Sequence, residues 1–249
     1  MNKSIEVLAD KSAIVERATI LVLEKIQTAL QERGQCAIAL AGGSTPKPLY
    51  EAIAAKSLPW EKIHIFWGDE RYVSHDHPDS NCNMARQAWL NRVDFPPGNI
   101  HPMPTGANDP SADADRHDGE IREFFGVKAG EFPPFDIILL GMGDDGHTAS
   151  LFPHTEVLQV RDRLIAVGNK SGQPRLTFTI PLINRGRCVI FLAAGANKQN
   201  ALANVLGDSA DAREYPSRFI QPEGELWWFV DEMAAKTLEA NHRSLIIDN

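Results

Sequence analysis

The sequence predicts an α/β fold, with a mostly parallel central sheet, helices on both of its faces and a small β-rich insertion. Three observations carry that prediction. Apolar runs at 37–41, 63–67, 137–140 and 189–193 are continuous rather than alternating, as in strands buried on both faces. Segments with helical spacing lie between them, so successive strands can pair in parallel through crossovers. Polar turns follow all four runs, at the strand ends where open parallel sheets bind ligands.

Taken in order, Ile14, Ala18, Leu21, Val22, Ile26, Ala29 and Leu30 recur at helical spacing between Lys11 and Arg33, and Gly34 stops that helix. The strand at 37–41 precedes a helix at 45–55, and the strand at 63–67 precedes one at 81–90. Residues 94–110, rich in Pro, Asn and Gly, read as an ordered surface excursion rather than a linker. After 137–140, runs at 164–167 and 176–180 read as the consecutive strands of the insertion. The strand at 189–193 leads to a helix at 197–206, and a final strand at 226–230 leads to a terminal helical piece. No repeat or low-complexity tract divides the chain, which reads as one domain over residues 1–249.

Composition narrows the function. A hydrophobic share of 43% with 23% charged residues is ordinary for a globular protein with a substantial core. The net charge of −8 argues against general nucleic-acid binding, so an anionic small molecule would need a local basic pocket. Cys36, Cys82 and Cys188 are too few and too scattered for a disulfide framework or a metal site. His75 and His77 lack a convincing third ligand, and neither a metal nor an organic cofactor is expected. With no apolar stretch of membrane-span length and no signal-peptide pattern, a cytoplasmic protein without membrane partners is expected. As an assembly, a monomer or weak homodimer is expected.

Four motifs carry the chemistry. At 41–46, Gly42, Gly43, Ser44 and Thr45 precede Pro46, a pattern that suits an anion-binding helix start. No Gly-Lys-Ser/Thr follows, so it is not a nucleotide P-loop. At 67–71, Asp69 could orient a base or accept from sugar hydroxyls, and Arg71 could grip a phosphate oxygen. The turn after 137–140 delivers His147, a side chain able to act as a base near neutral pH. Its Gly141-x-Gly143-x-x-Gly146 spacing matches the dinucleotide fingerprint, but the next apolar run ends in Gly168 and Asn169 rather than an acid. Lys198, just after Gly195, adds a cation at the start of a helix, and Arg175 is a further candidate.

On these residues the chain resembles the 6-phosphogluconolactonase family, within a wider group that includes glucosamine-6-phosphate deaminase. The matching segments are LAGGSTPKPLY (40–50), WGDERYV with DSNCNMAR (67–86), LLGMGDDGHTASLFP (139–153), PRLTFTIPLIN (174–184) and LAAGANKQNAL (192–202). The resemblance implies a Rossmann-like α/β/α scaffold that hydrolyses a phosphorylated sugar lactone without a cofactor, in the oxidative pentose phosphate pathway. It implies His147 as base with Asp69 in support, and Arg71 and Lys198 on the phosphate. Gly143 and Asp145 complete the expected substrate-binding set with Gly42, Gly43, Ser44, Thr45 and Arg175. The deaminases resemble this loop as far as Gly146-His147 and then carry an acid that assists ring opening. Here residues 149–153 read Ala-Ser-Leu-Phe-Pro, which favours lactone hydrolysis. A deaminase-type enzyme and a non-catalytic sugar-phosphate sensor remain the alternatives at this stage.

Overall fold

A computed structural model describes residues 2–238. Six strands form one sheet: β1 (Asn2–Leu8), β2 (Cys36–Leu40), β3 (Ile63–Trp67), β5 (Ile137–Gly141), β8 (Cys188–Ala193) and β9 (Glu225–Asp231). Their spatial order is β1-β9-β8-β5-β2-β3, and every pairing is parallel. Three further strands, β4 (Asp69–Arg71), β6 (Ile165–Lys170) and β7 (Gln173–Phe178), make a small antiparallel sheet in the order β4-β7-β6.

Alternate residues of the parallel strands feed two separate cores. Ile38, Leu40, Ile65, Ile137, Leu139, Ile190 and Leu192 pack under α1 (Lys11–Arg33), α2 (Lys47–Ala54) and α3 (Asn81–Ala85) with its π-helical continuation Arg86–Leu90. Ala37, Ala39, Ile138, Leu140, Val189 and Phe191 pack against α4 (Pro110–Phe125), α5 (Ile180–Asn184), α6 (Gln199–Leu206) and the small sheet. Burial on both sides explains the continuously apolar strands, and the result is the expected three-layer α/β/α architecture with its small β addition.

The α1 helix occupies the span its spacing predicts, capped by the Asp10 carboxylate and closed at Gly34, where φ is 76°. Several elements depart from expectation. The helix after β2 starts at Lys47, and the helix after β8 is preceded by a 3₁₀ turn, Ala196–Lys198. The run 176–180 leaves the strand at Phe178, because Thr179 and Pro181 start α5. The strand β1 went unpredicted because, as an edge strand, it lacks a continuous apolar run. The helix α4 went unpredicted because only Asp113, Ala114, His117 and Ile121 are buried along its sixteen residues. Residues 232–237 form turns, and the rest of the expected terminal helical piece lies outside the described residues. No helix among the described residues is long and apolar enough to cross a membrane.

Candidate active site

The chain runs from β2 to β3 on one side of the sheet, then crosses to β5 on the other side of β2. This reversal places the carboxyl ends of β2 and β5 at the switch point where open parallel sheets form a crevice. A cleft of about 480 Å³ opens there. All eleven site residues expected from sequence line it: Gly42, Gly43, Ser44, Thr45, Asp69, Arg71, Gly143, Asp145, His147, Arg175 and Lys198.

His147 stands in the turn after β5, which closes on itself through Gly143 N–H to His147 C=O at 2.8 Å and Gly146 N–H to Gly143 C=O at 3.1 Å. The ring lies so close over Gly143 that a Cβ at that position would collide with His147 Nδ1 and Asp145 Oδ1. Glycine is required there by the approach of the imidazole. His147 Nδ1 is 2.5 Å from Asp145 Oδ1, and the same oxygen accepts from the His147 backbone N–H at 3.1 Å. Burial pushes the Asp145 carboxyl up, but the hydrogen bond and charge of His147 outweigh it and hold the pKa at about 2. An ionised partner on Nδ1 leaves Nε2 as the basic nitrogen.

The carboxylate in contact with the His147 ring is Asp145, expected on the substrate, rather than Asp69, expected in support of the base. Proximity in the tight turn explains the exchange. Asp69 is held elsewhere: its Oδ2 accepts from Ser150 Oγ at 2.7 Å, and its Oδ1 has a longer contact of 3.4 Å with Asn81 Nδ2. The neighbouring acid Glu70 faces away from the cleft. It is buried, accepts from the backbone N–H groups of Arg71, Asn81 and Cys82 at 2.7–2.8 Å, and so staples β4 to the start of α3.

Two guanidinium groups share one wall. Arg71 on β4 faces Arg175 on β7, and the Nε of each is buried without a hydrogen-bond partner. Burial and then the charge of Arg71 lower the Arg175 pKa. Two like charges with buried, unpartnered donors so close together are electrostatically suited to an anion. Lys198 differs from expectation, because Asp144 holds its ammonium in an ion pair and also accepts from Asn197 Nδ2 at 2.9 Å. Across the cleft, the loop after β2 is fixed by Tyr50 Oη, which bonds both Ala41 N–H at 2.9 Å and Ala41 C=O at 2.7 Å. Among the described residues, the N–H groups of Gly43, Ser44 and Thr45 have no partner in the chain. By contrast Gly143 and Gly146 spend theirs inside their own turn.

Sequence reasoning missed Lys170, which lines the cleft with its ammonium 5.3 Å from the centre of the Phe152 ring. It missed Phe152 itself, packed 4.5 Å from the His147 ring, and Asn81, whose side chain touches Gly42 and Asp69. Lys170 ends β6, which forms a hairpin with the strand that carries the candidate Arg175, so that hairpin was the available signal. His154 lies outside the cleft, with Nε2 2.9 Å from Glu214 Oε1.

Comparison with known proteins identifies the family and the fold. The family model described as glucosamine-6-phosphate isomerases/6-phosphogluconolactonase matches residues 9–228. The chain is 63% identical over 238 residues to a 6-phosphogluconolactonase of Synechocystis sp., across 96% of this chain and 99% of that protein. A Nostoc sp. 6-phosphogluconolactonase is 61% identical with the same coverage. The 6-phosphogluconolactonase structure from Trypanosoma cruzi superposes with a TM-score of 0.87 at 31% identity, covering 96% of this chain and 99% of that one. A sheet with its switch point at β2 and β5, the turn carrying His147, and sequence identity over nearly the whole length place this chain in the glucosamine-6-phosphate isomerase/6-phosphogluconolactonase family.

Proposed function

We propose that this protein hydrolyses 6-phospho-D-glucono-1,5-lactone to 6-phosphogluconate, the lactone-opening step of the oxidative pentose phosphate pathway, with a water activated by His147. The carrying observation is the His147–Asp145 pair in the same cleft as two arginines with unpartnered donors. The names of the relatives support the substrate.

A lactone is an activated ester, so a positioned water and a base suffice. Arg71 and Arg175 hold the phosphate, and binding energy spent there sets C1 near His147. Nε2 takes a proton as water oxygen attacks C1, and the Asp145 carboxylate stabilises the imidazolium. The tetrahedral intermediate collapses by breaking the bond from C1 to the ring oxygen, which receives the proton back from Nε2. The products are the open-chain hydroxyl and the C1 carboxylic acid, which ionises. The unpartnered N–H groups at 43–45 are the donors available to the oxyanion or the sugar. Asp69 Oδ1, only loosely held, accepts from a sugar hydroxyl.

The test is hydrolysis of freshly generated 6-phosphogluconolactone, corrected for its spontaneous opening. A rate no faster than the uncatalysed reaction would refute the reading.

A further inference from the structure

The His147 turn belongs to the large sheet, whereas Arg71 and Arg175 stand on the small one. Catalysis on a phosphorylated substrate needs the two held at a fixed distance, and the segment that follows the turn is hydrogen-bonded to the small sheet. Thr148 ties the turn back to β5, with its hydroxyl donating to Gly141 C=O at 2.8 Å. Ala149 follows in the left-handed region, with φ 47°, a conformation that a non-glycine residue adopts only under surrounding constraint. Ser150, completely buried, then touches all three strands of the small sheet. Its hydroxyl donates to Asp69 on β4 at 2.7 Å, and its N–H donates to Thr177 Oγ1 on β7 at 3.2 Å. Its carbonyl lies against Gly168 on β6, where an added Cβ would sit 2.5 Å from the oxygen.

We propose that Ser150 is a positioning residue that sets the span between the basic nitrogen of His147 and the arginine pair. This rests on the function proposed above. The strain at Ala149 is the consequence of being held from both ends. With the pin in place, a substrate anchored by phosphate presents C1 to His147 without further search. A lactone lacking the phosphate bridges no such span, and can settle around His147 wherever the turn lies.

Two variants test this on two substrates. Ser150→Ala should lower kcat on 6-phosphogluconolactone about 100-fold, the scale of a small misplacement of reacting groups, while KM changes little because the arginines are untouched. On unphosphorylated gluconolactone the same variant should lose less than about tenfold, the loss expected from a loosened Asp69 alone. Gly168→Ala, which displaces the same carbonyl and leaves the hydroxyl intact, should show the same substrate-selective loss and covers the case in which Ser150→Ala does not fold. Equal losses on both lactones, or unchanged rates on both, would overturn the pin while leaving the lactonase reading standing. A wild-type protein without activity on the phosphorylated lactone would instead overturn the reading beneath it.

Discussion

Arg71 and Arg175 are direct register partners across β4 and β7, two like charges at a position where opposed cations destabilise a sheet. The Nε of each is buried without a partner, which fits the phosphate-binding role proposed for the pair. Replacing either by Ala should remove about 1.5–3 kcal/mol of phosphate recognition, or roughly ten- to more than hundredfold in kcat/KM. Inorganic phosphate should raise the melting temperature of the wild type and of neither variant. Equal kinetic losses on an unphosphorylated lactone would show that the pair does not read phosphate.

His147→Asn should lower kcat by roughly 10²–10⁴-fold, the usual worth of a positioned general base, with product affinity retained. Asp145→Asn should cost turnover as well, because Nδ1 loses the ionised acceptor that fixes its tautomer. Near wild-type kcat in His147→Asn, read alongside product binding by calorimetry, would remove His147 from the role of base.

No ammonia should be released from glucosamine 6-phosphate. The carboxylates lining the cleft are Asp69, Asp144 and Asp145, and the last two are engaged by Lys198 and His147. Phe152, an apolar residue, packs on the His147 ring. Glu70 is sealed into the start of α3, and Glu156 lines a different pocket with His154. An ammonia assay giving a rate comparable to lactone opening would overturn this assignment.

Acid should destabilise the protein through His101. It stacks on Phe66 with ring centres 4.3 Å apart and lies 3.2 Å from His64 Nδ1, near His117 and Glu120 of α4. Burial, aided by the charges of His64 and His117 and opposed by Glu120, lowers its pKa from 6.5 to about 4. The unfolded chain therefore binds this proton first, so the stability it contributes is full above pH 6.5 and is lost progressively down to about 4. His101→Phe should keep the stack and flatten that decline. Denaturant midpoints that fall equally steeply in variant and wild type across the window would exclude His101 as the cause.

The parallel sheet was legible because burial on both faces forces continuous apolar runs, and Ile63–Trp67 falls where its run predicts. The strand β4 was not, since Asp-Glu-Arg has no hydrophobic signal and becomes a strand only by pairing with β7. Residue types for the site could be read from the strand ends, but their partners could not. Whether Asp69 or Asp145 meets His147 is decided by the path of one turn, and whether Lys198 is free is decided by Asp144, both of which require coordinates. Lys170 reaches the cleft only through the pairing of β6 with β7, and Ser150 meets Asp69 and Thr177 only through tertiary contact.

The position of β1 constrains the order in which the sheet can be completed. Among the described residues its sheet neighbour is β9, the last strand described. During synthesis β1 must therefore wait without this partner until β9 emerges. Any chain terminated before Glu225 leaves two bare strand edges at once, on β1 and on the outer side of β8, and each is a template for pairing with another molecule.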